Sequence, residues 1–250
     1  MASSVARENY VLHKLHSLTG VIPVGYYMAQ HLTLNSFTLF GPNRFDGVIH
    51  FFEQIPTPAL LALEIFAIWI PLAFHAIYGM FIVARAKENY FTSKYGWSQN
   101  RMYTFQRISG IFLTIFLMWH VFTTTGTKYY LDATQGKGAG AEAIKYAAWN
   151  DKFLNHGILG YALFAFYVLG VITASYHLAY GIWNFCIRWG ITISEKAQRQ
   201  VQKFSLGVFV VLTLLGWGAL VGFLIHKPEP KQAVVASAAS GGVSKAASLR

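Results

Sequence analysis

The stretch from Pro58 to Ala84, PALLALEIFAIWIPLAFHAIYGMFIVA, decides the fold. It is apolar for longer than the roughly 20 residues that a helix needs to cross a bilayer core. Glu64 and His75 are its only acidic or basic side chains. A second stretch from Gly157 to Trp183, GILGYALFAFYVLGVITASYHLAYGIW, repeats the pattern, with His177 in the place of His75 and the same H-x-x-Y-G ending. Working outward, three further apolar runs cover about 18–40, 108–124 and 204–225. The first of these is the weakest, since it contains Gln30, His31 and Asn35, and the last has no ionisable group. The expected fold is therefore an all-α membrane protein, a bundle of five transmembrane helices spanning 18–40, 58–84, 108–124, 157–183 and 204–225. Residues 1–226 form one domain, and the Ala/Ser/Gly-rich tail 227–250 is expected to be disordered.

Composition points the same way. Of 250 residues, 54% are hydrophobic and only 12% charged, against about a quarter charged in an ordinary soluble domain. Cys186 is the single cysteine, which excludes a disulfide scaffold, a cysteine-ligated iron–sulfur cluster and covalent haem attachment. The opening MASSVARENYVLHKLH has no apolar h-region and is not read as a removable signal peptide. With the N-terminus cytoplasmic, the inner segments hold Arg7, Lys14, Arg85, Lys87, Lys94, Arg101, Arg107, Arg188, Lys196, Arg199 and Lys203, eleven in all. The outer loops hold five, Arg44, Lys128, Lys137, Lys145 and Lys152, although the tail adds Lys227, Lys231, Lys245 and Arg250. The positive-inside rule then gives a multi-pass protein of the cytoplasmic membrane with its N-terminus inside. The net charge of +10 fits topology control and attraction to anionic lipid, or a basic inner face that docks a soluble partner. A nucleic-acid partner is not expected. The loop between the third and fourth runs has room for a short surface helix near Ala141–Ala148.

The unusual feature is one histidine in each of the first four runs: His31, His75, His120 and His177. Any one of them reads most simply as a helix–helix hydrogen bond, but polar groups in spans are costly and four in register demand more. At 1.5 Å per residue, His31 and His120 lie roughly 20 and 18 Å from the inner ends of their helices, and His75 and His177 roughly 15 Å from the inner face. That ordering gives an outer pair, His31 with His120, and an inner pair, His75 with His177. Gly79 and Gly181, four residues after the inner histidines, leave room on the same helix face for a flat group. Two neutral imidazoles opposed across an apolar slot suit bis-histidine haem b, an electron carrier with both axial positions filled. Zinc or copper would ask for more ligands, and a proton relay for more carboxylates than Glu64 alone.

In order and spacing, H16-S-L-T-G before His31, P71-L-A-F-H75, Q106-R-I-S-G before His120, and S175-Y-H177 followed by Arg188 resemble the di-haem cytochrome b subunits of succinate:quinone oxidoreductases. The likeness runs from about Leu12 to Ile225. It implies two stacked haems b: a proximal one on His75 and His177 and a distal one on His31 and His120. It also implies that His16, Ser17, Tyr103 and Arg188 help hold propionates. Quinone, with menaquinone expected, would react near the distal haem, with His50 and Glu53 as candidates for its proton traffic. FAD and iron–sulfur clusters would reside on partner flavoprotein and iron–sulfur subunits, docked on the basic inner loops 85–101 and 188–203, and a higher oligomer is compatible with this. Ser175 stands where some fumarate reductases of the family carry a glutamate, which tilts the expectation toward succinate oxidation. The anchor of a hydrogenase or formate dehydrogenase, and a transporter using the histidines as a proton or metal relay, remain the rival readings.

Overall fold

The computed structural model describes residues 2–86 and 98–228, with side chains from residues 10 and 100 onward in the two segments. Lys87, Lys94, Lys231, Lys245 and Arg250, the Arg7 side chain, most of the 85–101 loop, and the tail beyond residue 228, for which the sequence predicts disorder, lie outside the described residues.

The described chain is helical. In order, α1 spans Ala2–Val21, α2 Pro23–Asn35, and a 3-10 turn Ser36–Phe40 leads to α3, Pro42–Glu53. Helix α4, Thr57–Glu64, passes through a π turn, Ile65–Trp69, into α5, Ile70–Arg85. Helix α6, Ser98–Val121, passes through a second π turn, Phe122–Gly126, into α7, Thr127–Gln135. Then come α8, Ala139–Glu142; α9, Tyr146–Leu154; α10, Gly157–Arg188; and α11, Glu195–Ile225.

Among the described residues, four continuous helices are long and apolar enough to cross a membrane: Thr57–Arg85, Asn100–Gln135, Gly157–Arg188 and Glu195–Ile225. The expected first span, 18–40, is not among them. It is made of the end of α1, α2 and the 3-10 turn. Pro23 cannot donate to the carbonyl four residues back, so the helix breaks at Ile22, and Gln30, His31 and Asn35 lower the apolar content of α2. Pro71 acts similarly: the π turn Ile65–Trp69 sits just before it, where the regular ladder loses a donor.

Packing centres on α10, which lies along α11 on one side, α6 on another and α1 on a third, while α1 also lies against α5. Small residues let the backbones approach, as in membrane bundles generally: an added Cβ at Gly216 would meet Val171 and Leu32, and one at Gly170 would meet the Phe116 ring. Large apolar side chains such as Phe66, Met118, Phe122 and Ile158 point outward, as they should where hydrocarbon is the solvent.

The polar segment between α7 and α10, which reads in sequence as a loop with a surface helix, is instead a plug at the His120 end of the bundle. Tyr146 and Phe153 of α9 are fully buried and Trp149 nearly so, at the i, i+3, i+7 spacing of one helix face. The Tyr146 hydroxyl donates to the Gly222 and His226 carbonyls (2.7 and 3.0 Å), and Asn150 Nδ2 donates to the Phe223 carbonyl (2.7 Å). Asp46 of α3 accepts the first α9 amide, that of Tyr146, at 2.8 Å. Burial pushes the Lys152 amine below the usual lysine range, and its Nζ lies 4.4 Å from the Trp149 ring centre.

Candidate functional site: two opposed histidine pairs

The fold brings the four histidines together in two pairs. His75 on α5 and His177 on α10 have ring centres 6.1 Å apart with planes at 90°. His31 on α2 and His120 on α6 have ring centres 5.9 Å apart with planes at 79°. These are the pairs that depth along the helices predicts.

Glycine spacing explains how the helices approach at the inner pair. A Cβ at Gly20 of α1 would overlap the His75 ring, and one at Gly110 of α6 would lie 3.2 Å from His177 Cε1. The reciprocal contacts also hold. A Cβ at Gly79 would lie 3.0 Å from His16 Nε2, and one at Gly181 would lie 3.7 Å from Gln106 Nε2. Each helix therefore offers a polar side chain and a glycine four residues later, on one face, and its antiparallel neighbour offers the same in reverse. H16-x-x-x-G20 interlocks with H75-x-x-x-G79, and Q106-x-x-x-G110 with H177-x-x-x-G181. This corrects the expectation that Gly79 and Gly181 leave open room for a flat group, because His16 and Gln106 face those notches.

Hydrogen bonds orient the inner imidazoles. His75 Nδ1–H donates to the His16 carbonyl at 2.8 Å. His16 also stacks on His75, with ring centres 4.1 Å apart and planes within 11°. Ser109 Oγ donates to the Gln106 carbonyl at 2.9 Å, which leaves it an acceptor for His177 Nδ1–H at 2.9 Å. A carbonyl only accepts, and this hydroxyl has spent its proton. Both rings therefore carry hydrogen on Nδ1 and keep the Nε2 lone pair as a ligand. Fixing a ligand's tautomer through its other nitrogen is the usual outer support of a metal-binding histidine. In the other pair, His120 Nδ1 lies 3.0 Å from the Tyr167 hydroxyl, and Thr124 Oγ donates to the His120 carbonyl at 2.6 Å, at the start of the π turn.

The other side chains expected at the site divide between the two ends of the bundle. Ser17 donates to the Lys14 carbonyl (2.8 Å) and accepts from Trp189 Nε1 (3.1 Å). Arg188 lies near enough to act electrostatically on His16. The Arg107 guanidinium sits 4.9 Å above the Tyr103 ring. These basic and donor groups gather at the inner-pair end of the bundle. His50 is exposed on α3 and Glu53 is half-buried at its C-terminus, where Glu53 and Asp46 act on Lys145 more weakly than its ion-paired partner Glu142 does. His13 hydrogen-bonds Tyr78 (2.9 Å), and His226 Nε2 meets the Leu39 carbonyl (3.0 Å), so both have structural roles.

Sequence reasoning did not assign Ser109, Gln106, Trp189 or Tyr167. Ser109 and Gln106 lie inside the Q-R-I-S-G motif, and the repeat makes them the equivalents of Thr19 and His16. No comparable signal marks Tyr167.

Among the described residues no group of three or more His, Cys, Asp or Glu side chains converges as a metal site held by protein alone would require. An ion bound at about 2 Å from each of two imidazole nitrogens, with roughly 1 Å more from nitrogen to ring centre on either side, needs ring centres about 6 Å apart. Both pairs meet that spacing, so each could reach one iron from two sides.

No protein-family model matches the chain. A curated relative does: the chain is 36% identical over 218 residues to the succinate dehydrogenase cytochrome b558 subunit of Bacillus subtilis (strain 168), an alignment covering 87% of this chain and 98% of that protein. Together with the apolar helices and the paired histidines, that likeness over nearly the full length of both proteins places the chain in the family of succinate dehydrogenase cytochrome b membrane-anchor subunits.

Proposed function

We propose that the chain anchors a succinate dehydrogenase in the cytoplasmic membrane and conducts electrons from an iron–sulfur subunit to membrane quinone, menaquinone by resemblance. In this reading His75 and His177 would hold a proximal haem b, and His31 and His120 a distal one. The observation that carries it is the presence of two separate imidazole pairs, each at a spacing that would let both rings reach one iron, with the inner pair's Nε2 atoms left free by hydrogen bonds on Nδ1. Haem b, when bound, supplies one-electron exchange without opening a position for oxygen. The chain's own residues do the rest. His16 and Ser109 hold the inner rings in the ligating tautomer. Tyr103 and Arg188, with Arg107 nearby, offer donors for propionates at that end, and Ser17 would join them by turning its hydroxyl away from the Lys14 carbonyl. The apolar helices keep water from the slots.

The topology that goes with this reading has five crossings. Helix α2 packs on α11 and the α5 side of the bundle and so completes the first crossing with α1 despite its polar side chains. The N-terminus is cytoplasmic, which puts the inner pair nearest the iron–sulfur and FAD-carrying subunits. Ser175, fully buried with no carboxylate at its position, favours succinate oxidation as the working direction.

The test is purification of the complex from membranes, with a subunit inventory and a dithionite-reduced spectrum. The reading expects a flavoprotein, an iron–sulfur protein and two b-type haems per copy of this chain. A nickel- or molybdenum-containing partner would move the chain to another respiratory oxidoreductase, and a colourless complex would leave the histidines as a relay.

A further inference from the structure

Glu64 is the only carboxylate within the expected spans, and an ionisable group at that depth is costly unless it has a partner and a use. Its partner is Tyr129, whose hydroxyl donates to Glu64 Oε2 at 2.8 Å and ties α4 to α7 across the bundle. Both residues adjoin irregular helix. The π turn Ile65–Trp69 begins immediately after Glu64, and Tyr129 comes three residues after the π turn Phe122–Gly126. Such π turns concentrate at functional sites because they redirect side chains and free backbone groups.

The pair also sits in a line of polar groups. On the far side of Tyr129, Lys128 Nζ lies 4.9 Å from the tyrosine ring centre and 3.2 Å from Asp132 Oδ2. Asp132 Oδ1 accepts the amides of Gly138 and Gly140 in the turn at the end of the bundle (3.0 and 2.9 Å). On the near side, the Tyr27 ring centre lies 5.6 Å from that of His31. Helix α2, which carries Tyr27 and His31, packs on the π turn beside Glu64. Glu64 and Tyr129 therefore stand between a polar turn that holds Lys128 and Asp132 and the helix that carries His31.

We propose that Glu64, hydrogen-bonded to Tyr129, is the proton-exchange station of a quinone site beside the His31/His120 pair. The proposal rests on the function proposed above and adds a residue to it. Reduction of a quinone to its hydroquinone takes two electrons, here those released by succinate oxidation on a partner subunit, and two protons. The Glu64 O–H bond breaks as a quinone oxygen gains hydrogen. The carboxylate is then reprotonated through the Tyr129 hydroxyl from water at the Lys128/Asp132 end, and a second cycle delivers the second proton. In the reverse direction the same groups carry protons out.

The test uses the complete membrane-bound complex with Glu64→Gln, which keeps the side chain's shape, and Tyr129→Phe, which removes one hydroxyl. Redox-induced infrared difference spectra should show a carboxyl band that disappears in Glu64→Gln and shifts in Tyr129→Phe. Succinate–quinone reductase activity should fall about 100-fold or more in Glu64→Gln, while succinate oxidation with a soluble dye and the haem spectrum stay unchanged. Should Glu64→Gln lose haem, Tyr129→Phe alone decides, by the same band shift. Variants with full haem, an unchanged infrared band and a full quinone rate would overturn the proposal and leave the haem reading intact. A wild-type complex without haem would overturn both.

Discussion

At the scale of single residues, the inner histidine pair depends on absent side chains as much as on the imidazoles. A methyl group at Gly110 would press to within 3.2 Å of His177 Cε1, tighter than packed carbon atoms allow without a shift. We expect Gly110→Ala to deplete or perturb one haem and spare the other in the reduced optical spectrum, whereas Gly47→Ala, where an added Cβ meets nothing within 4 Å, should leave both. Ser109→Ala strips His177 Nδ1–H of its acceptor. A buried donor left without a partner costs about 1–3 kcal/mol, and the ligand loses basicity. Redox titration should therefore show one midpoint potential displaced and the other unmoved. Depth arithmetic on the sequence could pair these histidines, because one residue advances a helix by a fixed rise. It could not say that Gly20 and Gly110 face the imidazoles while Gly79 and Gly181 face His16 and Gln106. Spacing fixes which residues share a helix face, and only the relative rotation of neighbouring helices fixes what that face meets.

At the scale of elements, the apolar runs were legible because the bilayer imposes one length and one composition on them. The exceptions are physical too. The first run reads as one span but is built as two helices and a 3-10 turn, since Pro23 interrupts the hydrogen-bond ladder and the 3-10 turn ends at Gly41, whose φ is +101°. Helix α9 was hidden because its loop is polar on average, although Tyr146, Trp149 and Phe153 mark a buried face. It is held by bonds that the unpaired carbonyls at the end of α11 make available. Tyr146→Phe removes the hydroxyl that bonds the Gly222 and His226 carbonyls, and we expect a loss of about 1–3 kcal/mol. This should appear as a lower thermal inactivation midpoint of the detergent-solubilised complex, with haem content unchanged below that temperature. Thr38, fully buried and bonded to the Ala219 carbonyl at 2.8 Å, belongs to the same cap, and Thr38→Val should behave alike.

For the whole molecule, two helix pairs built on one interlocking rule, α1 with α5 and α6 with α10, set the inner histidines facing each other. Helices α2 and α6 set the outer ones. The plug of α8 and α9 closes the His120 end, and Arg107 and Arg188 lie at the other. The charge asymmetry and the proposed five crossings require the two chain ends to lie on opposite sides of the membrane. A protease-accessible tag at the N-terminus should be cut only in inside-out vesicles, and one at the C-terminus only in right-side-out ones. The central claim is that one imidazole from each of two helices meets its partner around one iron, twice over. Single alanine variants of the four histidines, each purified in the complex and titrated optically, test it most directly. The account predicts that His75→Ala and His177→Ala abolish one and the same haem component, and that His31→Ala and His120→Ala abolish the other. Loss of a single common component from His31→Ala and His75→Ala would contradict it.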